Sequence, residues 1–211
     1  MLMRIFILLC FTCLLACSPD TGTANTGRNK TFQYPDSVSV IEDSTIYING
    51  NIPLKEIITK AGYKKQKGWI HIDKSNLILS YMQDKTIVKQ FPVVLGGNPV
   101  DDKRREGDQC TPEGWFSIRA LYPHRSWSYF MWIDYPTKES WSKHKTSKQK
   151  GEIPQNATIG GEVGIHGVPE GYNTLVEEKI HWTLGCISLK TEHIKELYAY
   201  SFQGMKVFIE P

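Results

Sequence analysis

After residue 38 the apolar positions recur in short runs, many with the two-residue period of half-buried β-strands. Leu77, Leu79 and Tyr81 share one face of a clear strand. Gln83-Asp84 offers a turn, and Thr86 to Leu95 returns as a second strand. Pro92 within that return has no N–H to give a ladder, so it marks an edge or a bulge. Further strands are expected over Gly114 to Leu121, Tyr129 to Ile133, Val163 to His166 and Met205 to Ile209. Upstream, Val38 to Ile41 and Thr45 to Ile48 read as a short hairpin around Asp43-Ser44.

Helical signals are fewer. Leu54 to Ala61 reads as a short helix, opened by Pro53 and stopped by Gly62. Thr191 is a good N-cap for a second helix, whose Ile194, Leu197 and Tyr198 form an apolar stripe. Lys138 to Lys150 carries five lysines and one glutamate and reads as a solvated helix or loop. Many strands with few short helices predict a mostly β fold. The chain has 211 residues, enough for one compact domain and a small appendage. Its net charge of +3 lacks the strong basic footprint of a nucleic-acid binder, so no nucleic-acid partner is expected.

The N-terminus adds an address. Ile5 to Ala16 is apolar except for Thr12, too short for the roughly 20 residues of a stable membrane span. It has the length of a signal-peptide core. Leu14-Leu15-Ala16-Cys17 resembles a bacterial lipobox, in which the cysteine is acylated and becomes the first residue. Residues 1–16 are thus expected to be a lipoprotein signal peptide and Cys17 the lipidation site. Residues 17–30 are expected to be a flexible tether, because the stretch is polar and nearly free of apolar residues. The expected location is the bacterial cell envelope, anchored in a membrane through Cys17 and facing the periplasm or the exterior.

The chemistry concentrates near the C-terminus. Ile165-His166-Gly167 ends an apolar strand, and twenty residues beyond the histidine lies Cys186, within Trp182-Thr183-Leu184-Gly185-Cys186-Ile187-Ser188. A catalytic thiol needs a base, since free cysteine is mostly protonated at neutral pH. Histidine titrates in the right range to be that base. Glycine before the cysteine lets a substrate carbonyl approach the backbone, where N–H groups can face an oxyanion. Residue chemistry alone leaves two readings open: a cysteine nucleophile with its base, or a buried structural cysteine in a small-residue turn. A zinc site from Cys186, His166 and His181 lacks paired ligand spacing. No metal or other cofactor is expected. Cys110 and Cys186 can pair in an exported protein, or one can stay free for its chemistry.

These residues resemble the signature of the L,D-transpeptidase (YkuD-type) family, a histidine before glycine followed by Ser/Thr-x-Gly-Cys. Phe91-Pro92-Val93-Val94-Leu95-Gly96 resembles the family's strand-and-glycine segment. Gly107-Asp108 with Thr111-Pro112-Glu113-Gly114-Trp115-Phe116 resembles its Thr-Pro-x-Gly-aromatic loop. The likeness covers roughly residues 70 to 209. It implies a β-sandwich catalytic domain over residues 69–211, with residues 31–68 a small N-terminal region of unassigned role. It implies Cys186 as nucleophile, His166 as base oriented by main chain near Gly167, and backbone at Gly185 and Cys186 as oxyanion hole. Thr183, Leu184 and Ser188 fall at positions associated with the substrate side. Leu184 stands where many members have histidine, and Ser188 where many have arginine or asparagine. The reaction implied is acyl transfer on peptidoglycan stem peptides through a cysteinyl thioester. Resolution by an amine makes a transpeptidase and resolution by water a hydrolase. The Gly107 to Gly114 loop also resembles members that are peptidoglycan amidases, including ones that release wall-bound lipoprotein. A non-catalytic wall-binding lipoprotein is the alternative from another class.

The resemblance brings the Cys110 loop near the catalytic strand, where a Cys110–Cys186 disulfide would cap the nucleophile. Asp101 to Glu106 reads as an exposed loop of mixed charge. His124, His144 and His193 read as surface residues. Trp115, Trp127, Tyr129 and Trp132, at strand spacing, read as core before groove.

Overall fold

The computed structural model describes residues 47–211. Helix α1 spans Leu54–Ala61. Pro53 precedes it with the φ of −56° its ring imposes, Glu56 and Lys60 complement the dipole at either end, and Gly62 closes it in the left-handed conformation. Leu54 and Ile58, one turn apart, are its buried face. Tyr47 and Ile48, expected in a strand, lie instead in a bend and turn. Asn49 there has a φ of 54°, and the Ile48 N–H donates to the Gln90 side chain at 3.1 Å. Local Asn-Gly turn chemistry wins over the short apolar run. The other arm of the expected hairpin, 38–41, lies outside the described residues.

The remaining elements follow in order: β1 Gly68–Asp73, β2 Ile78–Gln83, β3 Thr86–Pro92, β4 Gly114–His124, β5 Ser128–Ile133, α2 Lys138–Gln149, β6 Gly164–Gly167, α3 Thr174–Glu177, β7 Ile187–Leu189, α4 Thr191–Tyr200 and β8 Lys206–Glu210. The fold is mostly β with short helices, as expected. The strands make one sheet in the order β3-β2-β1-β8-β4-β5-β6-β7. Strand β1 is one the alternation search overlooked, although Ile70 and Ile72 repeat with period two. Both are fully buried. Pro92 ends β3, which is an edge strand in that order, so its missing N–H breaks no interior ladder.

Strand β4 joins the two halves of the sheet. Its first residues, Gly114 to Ser117, pair with β8, and the rest, from Ile118, pairs with β5 across a register irregularity at Ile118/Ala120. The two sheet ends also meet. Just past β3, Val94 exchanges both backbone hydrogen bonds with Ser188 of β7, at 3.0 and 2.8 Å. That bridge gives the sheet a barrel-like closure around one core.

Leu54 and Ile58 of α1 join this core, together with Ile72, Ile118, Ile133, Ile165, Ile187 and Ile194. The segment before residue 69 therefore supplies packing to the sheet. Glu196 of α4 links the same parts: it accepts from the Leu54 N–H at the start of α1 and pairs with Lys89 of β3 at 2.8 Å. Helix α4 begins one residue earlier than its capping signal suggests. Lys190 is the N-cap, without a side-chain cap bond, and Thr191 is the first helical residue. The lysine-rich α2 is held on one side. Its Lys143 reaches Asp102 and the Glu113 carbonyl, at 2.8 and 2.9 Å. His144, expected at the surface, is buried, with Nδ1–H donating to the Arg104 carbonyl at 2.6 Å. So α2 clamps the loop that precedes β4.

Truncating Leu54 to Ala should cost about 2–5 kcal/mol, the range for a buried leucine. Urea denaturation should show this as a lower midpoint of the single main transition. An unchanged midpoint would mean that α1 is not part of the sheet's cooperative unit.

Candidate active site

Strands β6 and β7 pair in parallel, with Ile165 opposite Ile187 and His166 opposite Ser188. Ile165, Ile187 and Leu189 are fully buried in the core. Side chains alternate across a sheet, so His166 and the residue preceding Ile187, Cys186, lie on the opposite face. Both line a cleft of about 560 Å³, whose other walls include Lys103, Trp127, Glu162 and Leu184.

His166 sits in an aromatic box. Its ring stacks on Trp127 at 4.5 Å and on Phe130 at 5.7 Å, and meets the edge of Trp182 at 5.6 Å. His166 Nδ1 lies 2.8 Å from the Gly167 carbonyl. A carbonyl oxygen only accepts, so Nδ1 carries the proton and Nε2 is left as the basic nitrogen. Burial pushes the imidazole down to about 4; the Gly167 carbonyl opposes this and nearby His124 adds to it. Gly167 also permits the close approach of Trp127. A Cβ there would stand 2.7 Å from the Trp127 carbonyl.

Burial likewise pushes the Cys186 thiol up to about 11, with the Gly164 N–H and Lys103 opposing the rise and Glu162 adding to it. The thiol faces the Glu162 carbonyl at 3.6 Å. With the ring held low and the thiol high, the resting pair is a neutral thiol and a neutral imidazole.

The turn before Cys186 is built around Gly185, whose φ of 135° is outside the range of ordinary L-residues. A Cβ at Gly185 would stand 2.5 Å from the Cys110 carbonyl. Thr183 braces this turn: its Oγ1 accepts from the Gly185 N–H at 3.2 Å and donates to the Cys186 carbonyl at 2.7 Å. The Gly185 N–H, expected in the oxyanion hole, is thus already engaged. Thr183, expected on the substrate side, is buried and acts within the turn, although it borders the cleft. Leu184 is 73% exposed on the cleft rim, where a substrate would meet it. Ser188 does not reach the cleft. It is fully buried, and its hydroxyl has no hydrogen-bond partner among the described residues. The zinc alternative loses a ligand, because His181 Nδ1 accepts the Leu95 N–H at 3.1 Å.

The Cys110 loop does approach the site through its backbone, as the Gly185 contact shows. The two thiols are nevertheless free. Cys110 Sγ turns to the Asp108 carbonyl at 3.3 Å and borders a separate cavity with Asp101 and Arg105. Sequence reading passed over Lys103 by treating Asp101 to Glu106 as an exposed loop. Lys103 is buried, lines the cleft and pairs with Asp108 at 2.8 Å. Trp127 was read as core and is a wall of the cleft.

The neutral ring of His166 makes stability depend on acid. On unfolding the ring returns to its ordinary value of about 6.5, so between pH 6.5 and 4 the unfolded chain binds the extra proton. The stability held by the neutral ring is complete above about pH 6.5 and falls away toward pH 4, by up to about 3 kcal/mol. His166→Asn should show a smaller loss than wild type between pH 7 and 4.5 in urea titrations. His181, which burial also holds low, titrates in both proteins. Equal losses would mean that His166 is not held neutral by the fold.

The sequence model of the L,D-transpeptidase catalytic domain family (YkuD) matches residues 67–209, well over half of the chain. No curated protein sequence matches it. Among solved structures, the helical cell shape determining protein Pgp2 from Campylobacter jejuni is 21% identical, with a TM-score of 0.49 over 74% of this chain and 55% of that one. A lysine-to-alanine variant of Pgp2 gives a TM-score of 0.50 at the same identity, over 74% and 54%. A cysteine-to-serine variant of the Enterococcus faecium L,D-transpeptidase is 19% identical, with a TM-score of 0.44 over 68% and 50%. The chain thus spans about half the length of these proteins, and the likeness is one of fold. Family match, fold and the placement of the His-Gly segment on β6 beside the Thr-x-Gly-Cys turn that leads into β7 converge, and the chain belongs to the L,D-transpeptidase catalytic domain family.

Proposed function

We propose that this protein is a peptidoglycan L,D-transpeptidase that works through a thioester on Cys186. The observation that carries the reading is the shared cleft of Cys186 and His166, with the ring tautomer set by the Gly167 carbonyl. Nε2 is the nitrogen free to take a proton. As Cys186 Sγ attacks the carbonyl of the third stem-peptide residue, its proton passes to Nε2. The tetrahedral intermediate collapses with cleavage of the C–N bond, and the leaving D-alanine amine takes the proton back. A thioester remains. An acceptor amine then attacks it, giving a cross-link or an attached protein. Because the resting pair is neutral, the negative charge on sulfur develops only as the proton passes to Nε2.

Water in place of the amine turns the same machinery into a hydrolase. The Gly-Asp-x-x-Thr-Pro-Glu-Gly loop, which resembles that of amidase members of the family, keeps that reading open. A wall-binding protein without catalysis is the third reading. Incubating the protein with a purified disaccharide-tetrapeptide and weighing the products separates them. Transpeptidase activity yields cross-linked dimer, hydrolysis yields tripeptide, and a binder yields no change. Cys186→Ala should reduce either product at least about a thousandfold while leaving the thermal melt in place, because the nucleophile is gone. Product formation by Cys186→Ala at the wild-type rate would overturn the thioester reading.

We further propose that Cys17 carries a lipid that holds the domain at the envelope. The support is the apolar segment Ile5 to Ala16 and the Leu14-Leu15-Ala16-Cys17 run. Wild-type protein should sediment with membranes, with lipid mass on its N-terminal peptide, and Cys17→Ser should not. A wild-type N-terminus without lipid would overturn the anchor.

A further inference from the structure

The cleft holds a cation that the reaction described above does not use. Lys103 is 5% exposed, yet it borders the same cleft as Cys186. Its Nζ would stand 3.6 Å from a Cβ on Gly185, the residue before the nucleophile. It is held there by Asp108 at 2.8 Å. Asp108 is itself fixed by the backbone N–H groups of Arg104, Arg105 and Cys110, at 2.7, 2.8 and 3.1 Å. An ammonium has three N–H donors, and the bond to Asp108 engages one of them.

Two features of the turn make this position consequential. Thr183 Oγ1 engages the Gly185 N–H, which removes a backbone donor from the expected oxyanion hole. His166 is neutral at rest, so it offers the thiol no positive charge before the proton moves. The charged and titratable groups facing Cys186 are then Lys103, Glu106, Glu162 and His166, with Asp108 behind Lys103. Among them Lys103 is the one ion-paired ammonium, held by Asp108 at 2.8 Å. Removing its charge leaves the thiolate among carboxylates and a neutral ring.

We propose that Lys103, held by Asp108 against the Gly185–Cys186 turn, is the electrostatic partner of the Cys186 thiolate and of the oxyanion that follows attack. The inference rests on the thioester reading for its second half only. In the step itself the Sγ–H proton moves to His166 Nε2, the S–C bond forms, and the carbonyl π pair moves to oxygen. Lys103 transfers no proton. It meets the new negative charge with N–H donors already in place, in a low-dielectric site where such a charge is worth most.

The test is alkylation of Cys186 by iodoacetamide across neutral to alkaline pH, without substrate, followed as added mass on the Cys186 peptide of the full-length protein. Cys110 lies on a different peptide and is scored separately. Lys103→Met keeps the length of the side chain and removes the charge. It should slow alkylation at neutral pH by about tenfold and move the pH profile upward by about one unit. Lys103→Arg should keep most of the wild-type rate. Should Lys103→Met not fold, because Asp108 is left buried without its cation, Lys103→Met/Asp108→Asn removes both charges and is read in the same way. An unchanged profile in a folded variant lacking the Lys103 charge would overturn the proposal. So would Lys103→Arg as slow as Lys103→Met, which would mark a packing role. Muropeptide turnover, measured separately, keeps the two readings distinct. Lys103-dependent alkylation with no turnover in wild type retires the transpeptidase reading and leaves Lys103 in its role. Turnover with Lys103-independent alkylation does the reverse.

Discussion

The parallel register between β6 and β7 is the constraint from which the site follows. Ile165 opposite Ile187 commits one face of this pair to the core, and the period of two then commits His166 and Cys186 to the other. A slip by one residue would bury the chemistry and expose the isoleucines, at the cost of two large apolar side chains in water. The bridge between Val94 and Ser188 protects this register. It gives β7 a partner on its second side, so a three-residue strand is held between two neighbours. Packing energy and catalytic geometry are thereby set by the same hydrogen-bond ladder.

Burial around the pair has an electrostatic consequence. A thiol pushed up and an imidazole pushed down rest together without charge. The charge sits instead in the neighbouring loop, where Lys103 pairs with Asp108. Burial alone would raise the Asp108 carboxyl, but hydrogen bonds from Lys103 and from the N–H groups of Arg105, Arg104 and Cys110 hold it below its ordinary value. An ionised Asp108 keeps the buried Lys103 paired and in place, as a buried charge requires. Helix α2 supports the same loop from behind through Lys143 and His144. A loop that looks solvated in sequence is thus a rigid wall.

Much of the frame was legible in residue order. The helix Leu54–Ala61 was bounded by Pro53 and Gly62, whose backbone preferences are local. Strands β4, β5 and β8 showed alternation with turn residues between them, because each exposes part of one face, whereas β6 was legible as an apolar run and the three-residue β7, buried throughout, was not. Strand β1 carries the same signal in Ile70 and Ile72. The expected strand failed at Tyr47 and Ile48, where Asn49-Gly50 favoured a turn, and the capping signal at Thr191 was displaced by one residue because Lys190 enters the helix from β7. His166 and Cys186 were legible as chemistry, since a histidine before glycine and a Gly-Cys turn are unusual patterns in themselves.

What the sequence by itself determined was the set of local choices: a mostly β chain, the short first helix, and a histidine and a cysteine in unusual glycine-flanked patterns. Tertiary structure alone decided how those choices combine. Thr183 and Ser188 looked equivalent as substrate-side residues, yet one braces the turn before Cys186 and the other is buried beside β6. Lys103 and Asp108 looked like two charges in a polar loop, yet their pairing places an ammonium beside Gly185. The reason is physical. Backbone preference and hydrophobic period act over a few residues and can be read in order along the chain. Burial, and with it the strength and sign of every electrostatic effect at the site, depends on which distant segments close over a residue, here the contact of residues 103–110 with residues 183–186.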